Sequence, residues 1–172
     1  MAITTVAAPS VFSLSEEQKA RLSDFNSPVK LWFYLLWKLP AAWFMGVRVK
    51  KITAERSQIT LPYGWRSQNP YNSIYFAAQC AAAEFSTGAL ATTALAGQSV
   101  SMLVGHIEAD FVKKANAKTT FTCEQGAEVF ATVERAIATG EPQVLTMIST
   151  GVQETGEVVS IVKVTWSFKK RQ

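Results

Sequence analysis

NPYNSIYFAAQCAAAEFSTGALATTALA, residues 69–96, is the stretch on which the fold turns. From Ile74 to Phe85 almost every position is small or apolar, with Glu84 as the one acid between Trp65 and His106. A helix that is apolar on nearly all sides cannot lie on a surface; it has to be wrapped by other elements. Gly88 reads as its stop.

On either side the pattern changes to strands. VRVKKITAERSQITL, residues 47–61, alternates apolar and polar residues around a polar turn at Ala54 to Ser57, which predicts a hairpin. Beyond Gly97 come SMLVGHIEADFVKKA, KTTFTCEQ, QVLTMISTGVQE and EVVSIVKVTWSFKK, the last two joined by a turn at Thr155-Gly156. GAEVFATVERAIATG, between the second and third, has its apolar residues at helical spacing. Long strands around one buried central helix make a mostly antiparallel α+β domain.

The N-terminal part, residues 1–45, reads as a helical extension packed on this body. Ser15 ahead of Glu16, Glu17 and Gln18 is an N-cap followed by negative charge, which predicts a short helix from Ser15 to Leu22. VKLWFYLLWKLPAAWFMGV, residues 29–47, is interrupted by Lys38 and Pro40 before it reaches the ~18 apolar residues of a membrane span. It predicts an amphipathic helix ended by Pro40 and packed on the domain, with membrane-surface contact as the lesser reading. Trp32, Trp37 and Trp43 are candidates to border an acyl tunnel.

Composition narrows the function. The chain has 172 residues, 48% hydrophobic and 17% charged, with no linker or repeat, which fits one domain over 1–172. The net charge of +4 is scattered, so no nucleic-acid stripe is expected and an anionic small ligand suits it better. Cys80 and Cys123 sit in apolar elements and read as free buried thiols. The first residues lack a signal peptide's basic region and apolar core, which predicts a cytoplasmic protein. G-x-S-x-G, P-loop, G-x-G-x-x-G and zinc-spaced Cys/His motifs are all missing, so neither metal nor cofactor is expected.

The residues point to a site along the central helix. On a 3.6-residue period Ser73, Ala77, Cys80, Glu84 and Thr87 share one face, giving a pocket lined by small groups and one acid. A carboxylate in an apolar helix is expensive unless paired, bonded or watered, so Glu84 is either catalytic or a structural carboxylate paired with Arg66 or Lys113. The unpaired amides at the helix start, Phe76 or Ala77, can polarise a carbonyl, while Asn69 or Asn72 is open to an N-cap role. Gln79 lies about 140° from Glu84 and is expected to contact a strand. His106, the lone histidine, reads as structural. Lys113, Lys114 and Lys118 are solvated strand-end lysines or contacts for CoA phosphates.

The run from Asn69 to Glu84 resembles the hotdog thioesterase superfamily. It is most similar to an uncharacterised bacterial family of thioesterase-like hotdog domains of the DUF4442 type, related to phenylacetyl-CoA thioesterase-like proteins. Asn69 falls on that branch's Asn, Tyr75-Phe76-Ala77 on its His-Gly-Gly, and Glu84 on its acid, without a gap; bulkier residues replace His-Gly-Gly, and Phe76 narrows the pocket. The resemblance runs from about Pro40 to the C-terminus. It implies a hotdog fold, a homodimer or dimer of dimers, and hydrolysis of an acyl-CoA or acyl-carrier-protein thioester. Catalysis would fall to Glu84, as base or nucleophile, and Asn69, with Ser73, Tyr75, Phe76, Ala77, Cys80 and Thr87 binding substrate. A non-catalytic acyl-CoA-binding protein is the alternative. A hydroxyacyl dehydratase is weaker, because His106 is not on the helix.

Overall fold

Six strands form one antiparallel sheet around a single long helix in the computed structural model, which describes residues 13–171. The chain runs α1 (Glu16–Asn26), α2 (Pro28–Lys38), α3 (Pro40–Met45), β1 (Arg48–Ile52), β2 (Ser57–Leu61) and α4 (Phe76–Ala94). It continues through β3 (Val100–Phe111), β4 (Thr119–Cys123), α5 (Gly126–Thr139), β5 (Gln143–Gln153) and β6 (Val158–Lys170). The sheet order is β1-β2-β4-β5-β6-β3, so the two strands flanking α4 in sequence, β2 and β3, are far apart in the sheet. The helix must cross the whole concave face to join them, and that crossing buries it.

Local sequence explains most of the elements. Ser15 caps α1 in a reciprocal capping box with Gln18, as its sequence predicts. Residues 53–56 turn the β1–β2 hairpin, with Thr53 N–H donating to the Arg56 carbonyl at 2.8 Å. Gly156, at φ +88°, makes the β5–β6 turn that a side chain would strain.

The helix over residues 28–38 ends just ahead of Pro40, as expected, and Pro40 then opens a further short helix, α3, at a first-turn position where its missing N–H costs nothing. One expectation needs correction. Gly88 does not stop α4, which continues six residues further to Ala94. A Cβ at Gly88 would lie 3.2 Å from the Trp166 ring and 3.3 Å from Glu84 Oε1. The glycine is there for close packing, a contact that no local pattern announces.

The concave face carries the core. Val162, Val164, Trp166 and Phe168 on β6, Met147 on β5, Phe121 on β4 and Ile59 on β2 are buried against Ala78, Ala82, Ala89 and Leu90 of α4. Small residues let α4 approach closely enough for Ser86 and Ser149 to share a 2.7 Å hydrogen bond. A bulge between Val104 and His106 shifts the register of β3: Met102 and Val104 lie opposite the buried β6 residues before it, and Ile107, Ala109 and Phe111 take that side after it, with Ile107 and Phe111 left exposed. β3 is an edge strand of 12 residues, and among the described residues no strand pairs with its outer side.

Candidate active site

The site begins where α4 begins. Its N-cap is Tyr75, and no side chain caps the helix there. The first intrahelical donors, Ala78 and Gln79, both reach the Tyr75 carbonyl (3.0 and 3.2 Å), so the amides of Phe76 and Ala77 lie ahead of the ladder and carry the helix's partial positive charge. Asn69 and Asn72 are not caps. Asn69 Oδ1 accepts from Tyr71 N–H (2.9 Å) and Ser73 N–H (3.3 Å), and its Nδ2 donates to Ser73 Oγ (3.0 Å), so this side chain holds the loop that leads into the helix. Asn72 takes the left-handed turn of that loop at φ +56°.

Beside this helix start lies an open groove of about 460 Å³. Asn69, Ser73, Phe76, Gln79, Phe111 and Lys114 are among its lining residues. The rings of Phe76 and Phe111 meet edge-on at 6.2 Å, and Tyr75 stands beside Phe76 at 4.8 Å. Gln79 departs from its expected strand contact: it is buried, and its Nε2 donates to the Ile74 carbonyl at 3.2 Å. Its buried Oε1 has no hydrogen-bond partner.

The three lysines part company. Lys113 lines the groove but pairs with Glu157, and Lys118 pairs with Glu154. Lys114 lines the groove and donates to the Tyr71 carbonyl at 3.3 Å, leaving ammonium protons for an anion. Lys118 does not line the groove.

Glu84 sits two turns further along α4. Its side chain is half-buried, and among the described residues no ion pair or hydrogen bond reaches its carboxylate, so the Arg66 or Lys113 pairing weighed from sequence is not formed. Desolvation by burial pushes its carboxyl above the usual carboxylate range. Ala77, Cys80 and Ala81 on the same side of the helix are also half-buried. Thr87 is fully buried instead and accepts a 3.0 Å hydrogen bond from Trp166 Nε1. The Cys80 thiol is raised by burial, and that of Cys123 is pushed up to about 11, so neither is a ready nucleophile. His106 is exposed at the β3 bulge and does not line the groove.

Sequence reasoning missed Trp166, Gly88 and Phe111. Trp166 had a legible signal, because it falls on the core-facing parity of the alternating run from Val162 to Phe168. Phe111 had none, because the bulge at Val104 reverses the parity of β3.

Along the helix axis Phe76 and Ala77 lie roughly 11–12 Å from Glu84, at 1.5 Å per residue.

The family described as a domain of unknown function (DUF4442) matches residues 32–168. No curated protein sequence matches the chain. Among solved structures, a protein of unknown function from Pseudomonas aeruginosa, described as a probable thioesterase, superposes with a TM-score of 0.73 at 19% identity, over 84% of this chain and 97% of that one. A protein of unknown function from Chlorobaculum tepidum gives 0.72 at 11% identity, over 88% and 99%. A thioesterase from Haemophilus influenzae gives 0.60 at 15%, over 84% and 91%. Likeness at such identity establishes the fold, which is the hotdog fold.

Proposed function

The chain belongs to the DUF4442 family, and we propose that it is an acyl-thioester hydrolase acting on acyl-CoA or acyl-carrier-protein substrates in a reducing cytoplasm. The observation that carries this reading is Glu84: a half-buried carboxylate without a partner, on the small-residue side of a helix whose start is uncapped. A carboxyl held above its ordinary range is better matched to taking a proton near neutral pH.

The reaction follows from these parts. The amides of Phe76 and Ala77 receive the thioester oxygen and stabilise the oxyanion. Glu84 removes a proton from water, whose oxygen attacks the carbonyl carbon. The C–S bond then breaks, and the thiolate leaves with that proton. Lys114 meets the substrate's phosphates, and Phe76 and Phe111 narrow the groove for the acyl group.

The span between amides and acid favours a homodimer in which each site takes its helix start from one protomer and Glu84 from the other. The unpaired edge of β3, with Leu103 and Ile107 exposed along it, suits continuation of the sheet across a two-fold axis. A non-catalytic acyl-binding role has no observation in its favour comparable to the unpaired acid.

The test is hydrolysis of a panel of acyl-CoAs, with Glu84→Gln as control. Thiol release that disappears in a stably folded Glu84→Gln protein supports the reading. Absence of turnover across acyl-CoA and acyl-carrier-protein panels, with acyl-CoA still bound, would make the protein a binder.

A further inference from the structure

The outward side of α2 is apolar where a surface helix should be polar. Leu31 and Leu35 point into the core, and the opposite side presents Val29, Phe33 and Trp37 at i, i+4 and i+8, exposed to 67%, 62% and 81%. Trp32 and Phe44 extend this surface, and Trp65 joins it through an edge-on contact with Phe44 at 6.1 Å. Val29 and Phe33 also line a shallow recess of about 320 Å³ with Pro28 and Trp32. None of this belongs to the α4 groove.

The charges next to it are mainly basic. Lys30, Lys38 and Arg66 adjoin its apolar residues in the chain, and from Phe25 to Ala54 there is no Asp or Glu. Three of the apolar anchors are followed directly by a base: Val29-Lys30, Trp37-Lys38 and Trp65-Arg66. Lys30 is paired with Asp24, while Lys38 and Arg66 are exposed beside their tryptophans. A second copy on this face across a two-fold axis would set base against base. A layer of anionic headgroups over hydrocarbon meets both features, since tryptophan and phenylalanine sit at that boundary and lysine or arginine above it meets the phosphates.

We propose that the outer face of α2 and α3, with Trp65, docks the protein peripherally on an anionic phospholipid surface. α2 lies in the headgroup plane and does not cross: among the described residues no helix is long and apolar enough to span a membrane. The proposal is independent of the chemistry assigned to Glu84.

Full-length protein is sedimented with large unilamellar vesicles of phosphatidylglycerol and phosphatidylcholine, and with vesicles of phosphatidylcholine alone. Binding to the anionic vesicles, weakened by salt and accompanied by a blue shift of tryptophan emission, is expected. Phe33→Ser with Trp37→Ser should lower partitioning about tenfold or more, and Lys38→Glu several-fold, with melting temperature and oligomeric state unchanged. Should the double variant fold poorly, Lys38→Glu carries the test, since it removes no apolar contact. Equal binding by variants and parent, no binding to either vesicle, or a change in oligomeric state in place of a change in partitioning would each overturn the proposal.

Discussion

Trp166 on β6 and Thr87 on α4 are joined through a buried 3.0 Å bond from the indole N–H, and the Thr87 hydroxyl in turn donates to the Glu84 backbone carbonyl 2.9 Å away. The sheet is thereby tied to the helical turn that carries the acid. Thr87→Val keeps the volume but leaves Trp166 Nε1 buried without an acceptor. The expected loss is about 1–3 kcal/mol of stability, read by urea denaturation. An unchanged midpoint would mean that the bond is replaced by another acceptor.

Glu84→Gln should lower kcat by roughly a hundredfold or more while KM moves little, the scale of losing a positioned acid–base group. If kcat per folded molecule stays at the parent value, Glu84 is not the base. A burst of thiol release ahead of steady turnover would identify it as a nucleophile instead.

The same variant has a pH signature in stability. Burial raises the Glu84 carboxyl, so the folded state holds this proton more tightly than the unfolded one. The stability it contributes is present below the unfolded pKa of about 4.3 and is lost as pH rises through the folded value. Glu84→Gln removes that loss. Its melting temperature relative to the parent should therefore climb between about pH 4 and pH 8, and a flat difference across that range would contradict the desolvated carboxylate.

Gly88→Ala sets two effects against each other. Alanine favours the helix by about 1 kcal/mol, but its methyl must sit 3.2 Å from the Trp166 ring and 3.3 Å from Glu84 Oε1. The net change in stability should stay within about 1 kcal/mol, while turnover falls about tenfold because the carboxylate is displaced. Turnover equal to the parent's would show that Glu84 needs no fixed position.

Assembly of one site from two protomers can be tested by complementation. Tyr75 has ψ 133°, an extended conformation that accepts a following proline, so Phe76→Pro removes one amide at a position where helices tolerate proline. Phe76→Ala controls for loss of the ring. Mixing Phe76→Pro with Glu84→Gln yields hybrid dimers that hold one intact site, and about a quarter of parental activity should return. No recovery in demonstrably mixed dimers would confine the site to one chain.

Lys114→Ala should raise KM for CoA thioesters several-fold, more so at low salt, with kcat little changed. Lys118→Ala, outside the groove and paired with Glu154, should leave KM alone.

Elements with a local signature were legible in the sequence: the Ser15 capping box, the hairpin around residues 53–56, the alternating strands, and the wrapped helix with its single acid. Part of what escaped was set by partners distant in sequence. Gly88 has the look of a helix terminator, and only the position of Trp166, 78 residues on, turns it into a packing glycine. Asn69 matched a catalytic asparagine by spacing, yet its amide is occupied with Tyr71 and Ser73. The outward stripe of α2 was hidden because its buried and exposed sides are both apolar, so periodicity could not tell them apart.

The bulge at Val104 makes the length of β3 a coded quantity. Past it, Ile107, Ala109 and Phe111 share one face of the strand, Phe111 lining the groove, and Glu108 and Asp110 face the other way. Deleting Ile107, below the bulge where the pairing is regular, would exchange the two sets, turning Glu108 and Asp110 to the face of Val162 and Val164 and Phe111 to the outside. Most single substitutions in this strand change one contact, but one codon lost there rewrites every position downstream. Among descendants of this gene, β3 is therefore free to vary in composition and bound to keep its count.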